Sequence, residues 1–358
     1  PEVDVRLTGI GSAITPIARL PFLGRVTDDY GVASARMVLE LPDQVRHEFV
    51  AQVSANGEFR DGLDLRLPPQ SSKPLNLAVG SRATVFVEAQ DRFASDTGPH
   101  TGRGDRFELE IVTAEQLLAL LESQELGLRQ RMEQIVEEMR DLRDSLQQAR
   151  AVDLDSADTR ELPSNRAPGA EPDDRPETRE AAGAGEPQSG AIRVLRIQRG
   201  QQHAARASQE VLGVALEFDG IREELRNNRV DSTERQRRLR DDISHPLSRI
   251  ADPLLLDLAR DLAEWEKALG GQTASRQPLA DARPSTIKEN ASTNRADLGN
   301  QCVTQADEII VAMEQVLDKM LDLETYNELL DLVRDMIREQ EQLEQKTREE
   351  QRRKVLEL

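Results

Sequence analysis

The hydrophobic period of this chain changes once, at Thr113. Before Thr113 apolar and polar side chains alternate, as in the run ATVFVEA at residues 83–89. After it apolar residues recur at helical spacing, namely at Leu121, Leu128, Met132, Ile135, Met139, Leu142 and Leu146. Period 2 is typical of half-buried strands, and a 3-4 alternation is typical of a coiled-coil seam. We therefore predict a multidomain α+β chain in which a β module and long α-helices form separate domains.

The N-terminal segment 1–112 contains about seven strand-like runs, the number typical of an immunoglobulin-like sandwich. The runs are Val3–Leu7, Ile17–Thr27, Val32–Leu41, His47–Val53, Leu63–Leu67, Arg82–Gln90 and Arg106–Val112. Turn residues separate them, including the Gly- and Pro-containing stretch 96–105. The Cys…Trp…Cys pattern of antibody domains is missing from the sequence. The segment 1–112 is therefore predicted to be an Ig-like β-sandwich of a bacterial or fibronectin-like type.

Two loops of this segment contain pairs of aspartates. Asp28 and Asp29 lie in one loop, and Asp91 and Asp96 lie in or beside another. Carboxylate oxygens at the end of a sandwich are suitable ligands for Ca²⁺. Asp is also common at turns, because its side chain accepts hydrogen bonds from nearby backbone N–H groups. The turn interpretation is favoured, and the sequence leaves calcium binding by Asp28, Asp29 and Asp91 undecided.

A long helix is predicted over residues 113–150. Thr113 and Gln116 have the spacing of a capping box, and Val112 and Leu117 have that of a hydrophobic staple. The segment 151–188 is rich in Asp, Glu, Pro, Ala and Gly, and it is predicted to be a disordered acidic linker. The first helix is therefore expected to begin directly from the last strand, so that the β module and this helix move as one body.

A helical segment is predicted over residues 189–271. Its early part carries a basic stripe, Arg193–Arg206, whose arginines are Arg193, Arg196, Arg199 and Arg206. We expect these arginines to pair with acidic faces of neighbouring helices; an external acidic partner is the alternative. The run DSTE at 231–234 predicts a helix start, and Asp252-Pro253 predicts another, in a helix that ends at Gly270-Gly271.

The C-terminal segment 295–358 follows a polar linker predicted at 272–294. It has a regular 4-3 seam of apolar residues: Cys302, Ala306, Ile309, Met313, Val316, Met320 and Leu323. Thr325 and Glu328 have capping-box spacing, which allows a break or kink there. Leu329, Val333, Met336 and Leu343 then continue the seam. These C-terminal coiled-coil helices are predicted to join the other helices in an antiparallel bundle.

The composition disfavours several classes of partner. A net charge of −19 argues against nucleic acid and against direct docking on anionic lipid. The sequence contains no apolar run of about 20 residues, the length that spans a bilayer. Because the chain opens at Pro1 rather than Met, we expect that it is excised from a longer protein and that any membrane anchor lies before Pro1.

No constellation of residues for catalysis, cofactor binding or metal binding is recognised. His47, His100, His203 and His245 have no metal-ligand spacing, and Cys302 lies on the apolar seam, where a core role is expected. The sequence has no phosphate-binding Gly loop, nucleophile elbow or zincin motif. We therefore predict no catalytic, cofactor-binding or metal site, no cofactor and no enzymatic activity; an enzyme completed by a partner chain is the weakest alternative.

Two stretches of the sequence resemble a known family. They are residues 209–231 (QEVLGVALEFDGIREELRNNRVD) and residues 316–329 (VLDKMLDLETYNEL), and the turn at 27–32 (TDDYGV) is similar as well. These stretches resemble large uncharacterised envelope proteins of planctomycete-type bacteria, which have Ig-like modules and C-terminal coiled-coil helices. The resemblance covers most of the chain, and it implies an extracytoplasmic location through an anchor outside this chain.

The resulting functional hypothesis is a non-enzymatic structural or scaffold protein of the cell envelope. It would be the soluble part of a larger membrane-anchored protein, and it would contact a protein partner or associate with itself through its helices. The alternative is a cytoplasmic coiled-coil adaptor or regulator that binds a partner through the basic stripe. The identity of the partner and the oligomeric state are left open by the sequence.

Overall fold

An N-terminal β-sheet region precedes a helical region, so the predicted α+β class with separate regions is confirmed. The structure is a computed structural model that describes residues 1–42, 45–67, 75, 77–93, 98–158, 185–270 and 285–356. Its strands are β1 Glu2–Leu7, β2 Ala13–Ile14, β3 Arg19–Thr27, β4 Val32–Glu40, β5 Arg46–Ala51, β6 Glu58–Asp64, β7 Arg82–Asp91, β8 Thr101–Arg103 and β9 Phe107–Ile111.

The strands form two sheets. One has the order β1-β3-β6, and the other has the order β2-β9-β7-β4-β5 with β8 paired to β7. All the pairs are antiparallel except β2 with β9. Both sheets contribute to one apolar core, which contains Leu20, Phe22, Phe59 and Leu63 from the first and Met37, Leu39, Val85 and Val87 from the second. The alternation predicted for Val32–Leu41 is confirmed for Ala35, Met37 and Leu39, which all lie in this core.

One predicted strand was misplaced and two short strands were missed. The run Leu63–Leu67 was expected to be a strand, but β6 covers Glu58–Asp64. The alternation is hidden because Asp61 lies between Phe59 and Leu63; its carboxylate accepts a hydrogen bond from the Gln52 amide at 3.2 Å. β2 and β8 have only two and three residues, too few to show a period.

The helices are α1 Ala114–Asp158, α2 Gly185–Asn227, α3 Thr233–Arg237, α4 His245–Arg249, α5 Leu256–Gly270 and α6 Ser285–Leu356. Two π-helical segments, Arg238–Ser244 and Ile250–Leu255, flank α4. The capping box before α1 is confirmed: the Thr113 N–H donates to Gln116 Oε1 at 3.0 Å, and the Gln116 N–H donates to Thr113 Oγ1 at 3.1 Å. Ser232 caps α3 by accepting from the Arg235 N–H at 3.1 Å.

Several predicted helix limits change. α1 continues to Asp158, past the predicted end at Arg150, because no Pro or Gly occurs between Arg150 and Pro163. α2 begins at Gly185, inside the predicted linker 151–188, of which residues 159–184 lie outside the described part of the chain. α6 begins at Ser285, directly after Pro284, so residues 285–294 of the second predicted linker are helical.

Inside the helical region, one predicted interruption is present and another is not. Asp252 has non-helical angles (φ −142°, ψ 116°), which confirms that the helix is interrupted before Pro253. By contrast, the backbone of α6 is helical without a break through Thr325. A polar capping pair therefore does not interrupt a helix when no residue that breaks it, such as Pro or Gly, follows.

The chain divides into two compact units. The first comprises Pro1–Leu128, Leu216–Ser244 and Asp322–Leu358, and the second comprises Arg129–Ala215 and His245–Leu321. In the second unit Leu142 and Leu146 of α1 and Leu262 of α5 surround Gly200 of α2. The predicted seam residues Cys302, Ala306, Ile309, Met313, Val316 and Met320 are all buried. Arg140 to Glu314 at 2.6 Å and Arg143 to Asp307 at 3.0 Å join α1 to α6 at the surface of this unit.

Candidate interaction surfaces

The aspartates singled out for calcium binding accept hydrogen bonds from the protein itself. Asp28 Oδ1 accepts from the Tyr30 N–H at 2.8 Å. Asp91 Oδ1 accepts from the backbone N–H groups of His100 at 2.9 Å and Phe93 at 3.3 Å. Asp29 is exposed, and Asp96 lies outside the described residues. Asp28 and Asp91 therefore have the turn-forming role, and in the described part of the chain no group of three or more His, Cys, Asp or Glu side chains has the arrangement of a metal site.

An aromatic cluster surrounds Asp91. His100 Nδ1 lies 2.8 Å from Asp91 Oδ2, and the His100 ring stacks on Phe93 with centroids 5.1 Å apart. Phe93 in turn packs against Tyr30, with the two ring centroids 4.6 Å apart. Burial alone would raise the pKa of Asp91, but hydrogen bonds from His100 and Phe93 outweigh it and lower that pKa. The cluster thus links Tyr30 to Phe93, His100 and Asp91 at this end of the β module.

A network of charges covers the outer face of the larger sheet. Glu88 is only 3% exposed, and its carboxylate contacts Arg46 at 2.6 Å and Arg103 at 2.6 Å. Arg106 and Arg46 lie over the ring of Phe86, at 4.8 and 5.9 Å from its centroid. Arginine side chains thus bury the apolar Phe86 on a face that lies opposite the core. Arg103, the first residue of the run RGD, is occupied by Glu88 in this network.

The end of α2 docks on the segment 9–15 of the β module. Asn228 Oδ1 accepts from the Thr15 N–H at 2.8 Å, and the Asn228 carbonyl accepts from Thr15 Oγ1 at 2.8 Å. Asn227 Nδ2 donates to the Gly9 carbonyl at 2.7 Å. Glu224 accepts from the Gly11 N–H, and burial raises the pKa of Glu224 above its usual range. We call this set of contacts the α2 joint.

The backbone after α2 turns into the joint through a left-handed residue. Arg229 has φ 59°, the N–H of Val230 donates to the Leu225 carbonyl, and the N–H of Arg229 donates to the Arg226 carbonyl. This pattern is a Schellman C-cap, which usually has Gly at the left-handed position. The Arg229 side chain compensates by pairing with Asp64 of β6. The sequence does not predict the joint, since Arg is not a typical residue at the left-handed position of such a cap.

A buried ion pair ties α3 to α1 within the same unit. Arg235 is 5% exposed, and its guanidinium lies 2.9 Å from Glu125 and 3.4 Å from Glu122. Because a buried charge is tolerated only with well-placed partners, this contact fixes α3 on the first turns of α1. Polar contacts between specific partners, the α2 joint and the Arg235 ion pairs, therefore hold together the β module, the start of α1 and the segment from Leu216 to Ser244.

Among the described residues, Arg196, Arg199 and Arg206 of the basic stripe do not form the predicted ion pairs with a neighbouring helix. Arg206 was expected to pair with a neighbouring helix, but its Nε donates to Glu210 of its own helix at 2.7 Å. Glu210 is the residue that reaches the neighbouring helix, where it contacts Arg131 of α1 at 3.1 Å. Arg196 and Arg199 make no ion pair with another described residue, and Ile192 and Leu195 beside them are 52% and 53% exposed. This end of α2 therefore presents both cations and apolar side chains to solvent.

A second apolar surface lies on the C-terminal part of α6. Its exposed large hydrophobic residues are Leu329, Leu332, Val333, Met336, Ile337 and Leu343. Leu332, Met336 and Leu343 have the 4-7 spacing of one helix face, and Leu332 is 61% exposed. The predicted continuation of the seam past Leu323 is therefore present as a helix, but Leu329, Val333, Met336 and Leu343 are exposed on it.

Within the part of the chain that the structure describes, the remaining Cys and His side chains do not form a group that resembles a site. Cys302 is buried, as predicted, and burial followed by the charges of Asp261 and Glu264 raises the pKa of its thiol to about 12. Such a thiol stays protonated near neutral pH and is a poor nucleophile. His100 lies against Asp91, whereas His203 and His245 are on different helices.

Comparisons with known proteins add no assignment: no protein family, curated protein or solved structure matches the chain significantly. The resemblance to planctomycete-type envelope proteins therefore stays a prediction. Among the helices of the described residues, none combines the length and the apolar character needed to cross a membrane.

Proposed function

We propose that this chain is a non-enzymatic structural or scaffold protein of the cell envelope, the soluble part of a larger membrane-anchored protein. Its β module would be held firmly on helices, and those helices would contact a protein partner. The envelope location rests on the family resemblance of residues 209–231 and 316–329.

The observation that carries this proposal is the exposed apolar face of α6. Single exposed apolar residues are common on protein surfaces, but a row of them at helical spacing is typical of a helix that binds another protein surface. Leu332, Met336 and Leu343 form such a row. A scaffold protein would use this face for its contacts, while the α2 joint and Arg235 keep the β module in a fixed position on α1 and α3.

The finer description of the fold belongs to the same proposal. Two sheets that share one core, with β1-β3-β6 facing the larger sheet, support an Ig-like sandwich. The buried seams of α1 and α6, together with the ion pairs between these helices, support an antiparallel bundle. An experimental structure of each unit, determined by NMR spectroscopy or crystallography, would test both descriptions.

The location is tested by fractionating cells that make the protein and treating them with protease before and after the envelope is opened. An envelope scaffold exposed outside the cytoplasm is degraded once the outer layers are opened but the inner membrane is intact. Protection until the cytoplasm is released would contradict the envelope location and favour the adaptor hypothesis.

The second candidate is a cytoplasmic coiled-coil adaptor that binds an acidic partner through α2. One observation favours it, namely that Arg196 and Arg199 have no ion-pair partner among the described residues while Ile192 and Leu195 are exposed beside them. The protease experiment separates this candidate from the first by compartment.

A further inference from the structure

Two exposed helix faces carry opposite charges, and Arg199 on one and Glu339 on the other make no ion pair with another described residue. The first, here called the basic face, lies on α2 and has 3-4 spacing. Its members are Ile192, Leu195, Arg199, Gln202 and Arg206. Arg196 lies at its border, and neither Arg196 nor Arg199 is engaged by a carboxylate of the described residues. A helix that exposes apolar and cationic side chains together is suited to an amphipathic acidic helix.

The second surface, here called the acidic face, lies on α6. Its apolar members are Leu332, Met336 and Leu343, and Glu339 and Glu344 lie on its two sides. Glu339 makes no ion pair within the described residues, whereas Glu344 contacts Arg348 four residues later. The face thus has an apolar first half and carboxylates beside its second half.

We propose that the acidic face of one copy of this chain binds the basic face of a second copy. The inference rests on the proposed function, since it names the partner of the exposed α6 surface. The two faces share one pattern: on each, an apolar pair (Ile192 and Leu195, or Leu332 and Met336) is followed about one turn later by a charged residue, Arg199 or Glu339.

This match fixes the direction and register of the pair. When the helices run parallel and Leu195 lies opposite Met336, Ile192 lies opposite Leu332. Arg199 then lies one turn further on, between Glu339 and Glu344 of the other copy. In the antiparallel direction Arg199 would instead lie opposite Leu332, and its charge would have no partner. The parallel pair therefore buries the apolar residues and neutralises Arg199 at the same time.

Each copy has one basic and one acidic face, and this determines what assembles. Two copies that use both faces reciprocally form a closed dimer; copies that use them in succession form a chain. The amount of either assembly, closed dimer or chain of copies, rises with protein concentration. Both also weaken in about 1 M salt, where the Debye length is about 3 Å.

The test is disulfide formation between two differently tagged full-length variants, Leu195→Cys and Met336→Cys. The native Cys302 does not interfere, because it is buried and the pKa of its thiol is raised to about 12. We expect a mixture of the two variants to form a disulfide that contains both tags. Leu254→Cys, which is exposed elsewhere in the chain, replaces Leu195→Cys in the matched control and should link about tenfold more slowly.

Charge reversal adds a readout that random collision would not give. Introducing Arg196→Glu and Arg199→Glu into the Leu195→Cys copy should slow the link about tenfold or more, since like charges would then face each other. Introducing Glu339→Arg and Glu344→Arg into the Met336→Cys copy should restore the rate of disulfide formation with the charge-reversed Leu195→Cys copy. Equal rates in all these mixtures would overturn the proposed pair. Met336→Cys copies that link to one another as fast as to Leu195→Cys would also overturn it.

The outcome is distinguishable from a failure of the proposed function. If the mixed disulfide does not form but a photo-reactive residue at position 336 still captures a different protein in cells, the self-pairing is wrong and the scaffold proposal stands. If position 336 contacts no protein in either experiment, both proposals are wrong.

Discussion

Asn228 and Thr15 are 213 residues apart in the sequence, yet Thr15 donates two hydrogen bonds of 2.8 Å to Asn228 in a buried contact. The carboxamide oxygen of Asn228 accepts from the Thr15 N–H, and the Thr15 hydroxyl donates to the Asn228 carbonyl. Through this pair the end of α2 is fastened to β2 and thus to the larger sheet. Within the first unit the β module is therefore held to the end of α2 as well as by its covalent link to α1.

Asn228→Ala should destabilise the first unit by about 2 kcal/mol, because the Thr15 N–H would be left buried without an acceptor. The measurement is the free energy of unfolding in urea, followed by circular dichroism. Asn300→Ala serves as the control, since Asn300 is exposed on α6 and its side chain lies outside the joint. Equal stabilities of the two variants would show that the joint does not hold the unit together.

Arg235→Met should cost about 3–5 kcal/mol, because the buried Glu125 would lose the guanidinium that lies 2.9 Å from its carboxylate. The exposed Arg237→Met is the matched control, and it should change stability little, since its ion pair with Glu234 is at the surface. Adding Glu122→Gln and Glu125→Gln to Arg235→Met should recover much of the loss. Thermal unfolding of the three variants and of the unchanged protein tests this, and a triple variant no more stable than Arg235→Met alone would contradict it.

The joint should also make stability depend on pH through Glu224. Burial raises the pKa of Glu224 above its ordinary value of 4.5, and the hydrogen bond from the Gly11 N–H opposes only part of that rise. The folded state therefore binds this proton more tightly than the unfolded state, so the group lowers stability as pH rises from about 4.5 through the folded pKa. At lower pH, where both states are protonated, the penalty is absent.

Glu224→Gln removes this ionisation and keeps an acceptor for the Gly11 N–H. Its free energy of unfolding should match that of the unchanged protein near pH 4 and exceed it near pH 8. Glu217→Gln, an exposed position on the same helix, is the control. A gap between Glu224→Gln and the unchanged protein that is constant over this pH range would refute the assigned role of Glu224.

How far the sequence predicted this structure depends on how local each signal is. Thr113 and Gln116, and the Cys302–Met320 seam, were predicted correctly because caps and heptads are patterns within one segment. The α2 joint could not be predicted, because Asn228 and Thr15 gain their roles only when distant segments meet. The predicted partner of Arg206 was wrong for a related reason: Glu210, four residues away on the same helix, accepts the hydrogen bond from the Arg206 guanidinium.

Close packing between α5 and α6 leaves little room for a methyl group added at Gly299. A Cβ at Gly299 would lie 2.9 Å from Cζ2 of the buried Trp265 ring, so Gly299→Ala should destabilise the second unit by about 1–3 kcal/mol. Gly213→Ala is the control: a Cβ there meets nothing within 4 Å, and it should stabilise α2 by up to about 1 kcal/mol. Fluorescence of Trp265, the single tryptophan in the sequence, follows the unfolding of each of the two variants. Opposite signs for the two variants are expected; a loss of the same size in both would contradict the packing.

Photo-crosslinking in the cell measures whether α6 presents a face for protein contacts. A photo-reactive amino acid is placed at position 336, on the apolar face, and separately at position 345, on the opposite side of the same helix. We expect a discrete covalent adduct with a protein, a second copy or another chain, at 336 and little or none at 345. Equal capture at both positions, or none at 336, would contradict the assignment of this face as the contact surface.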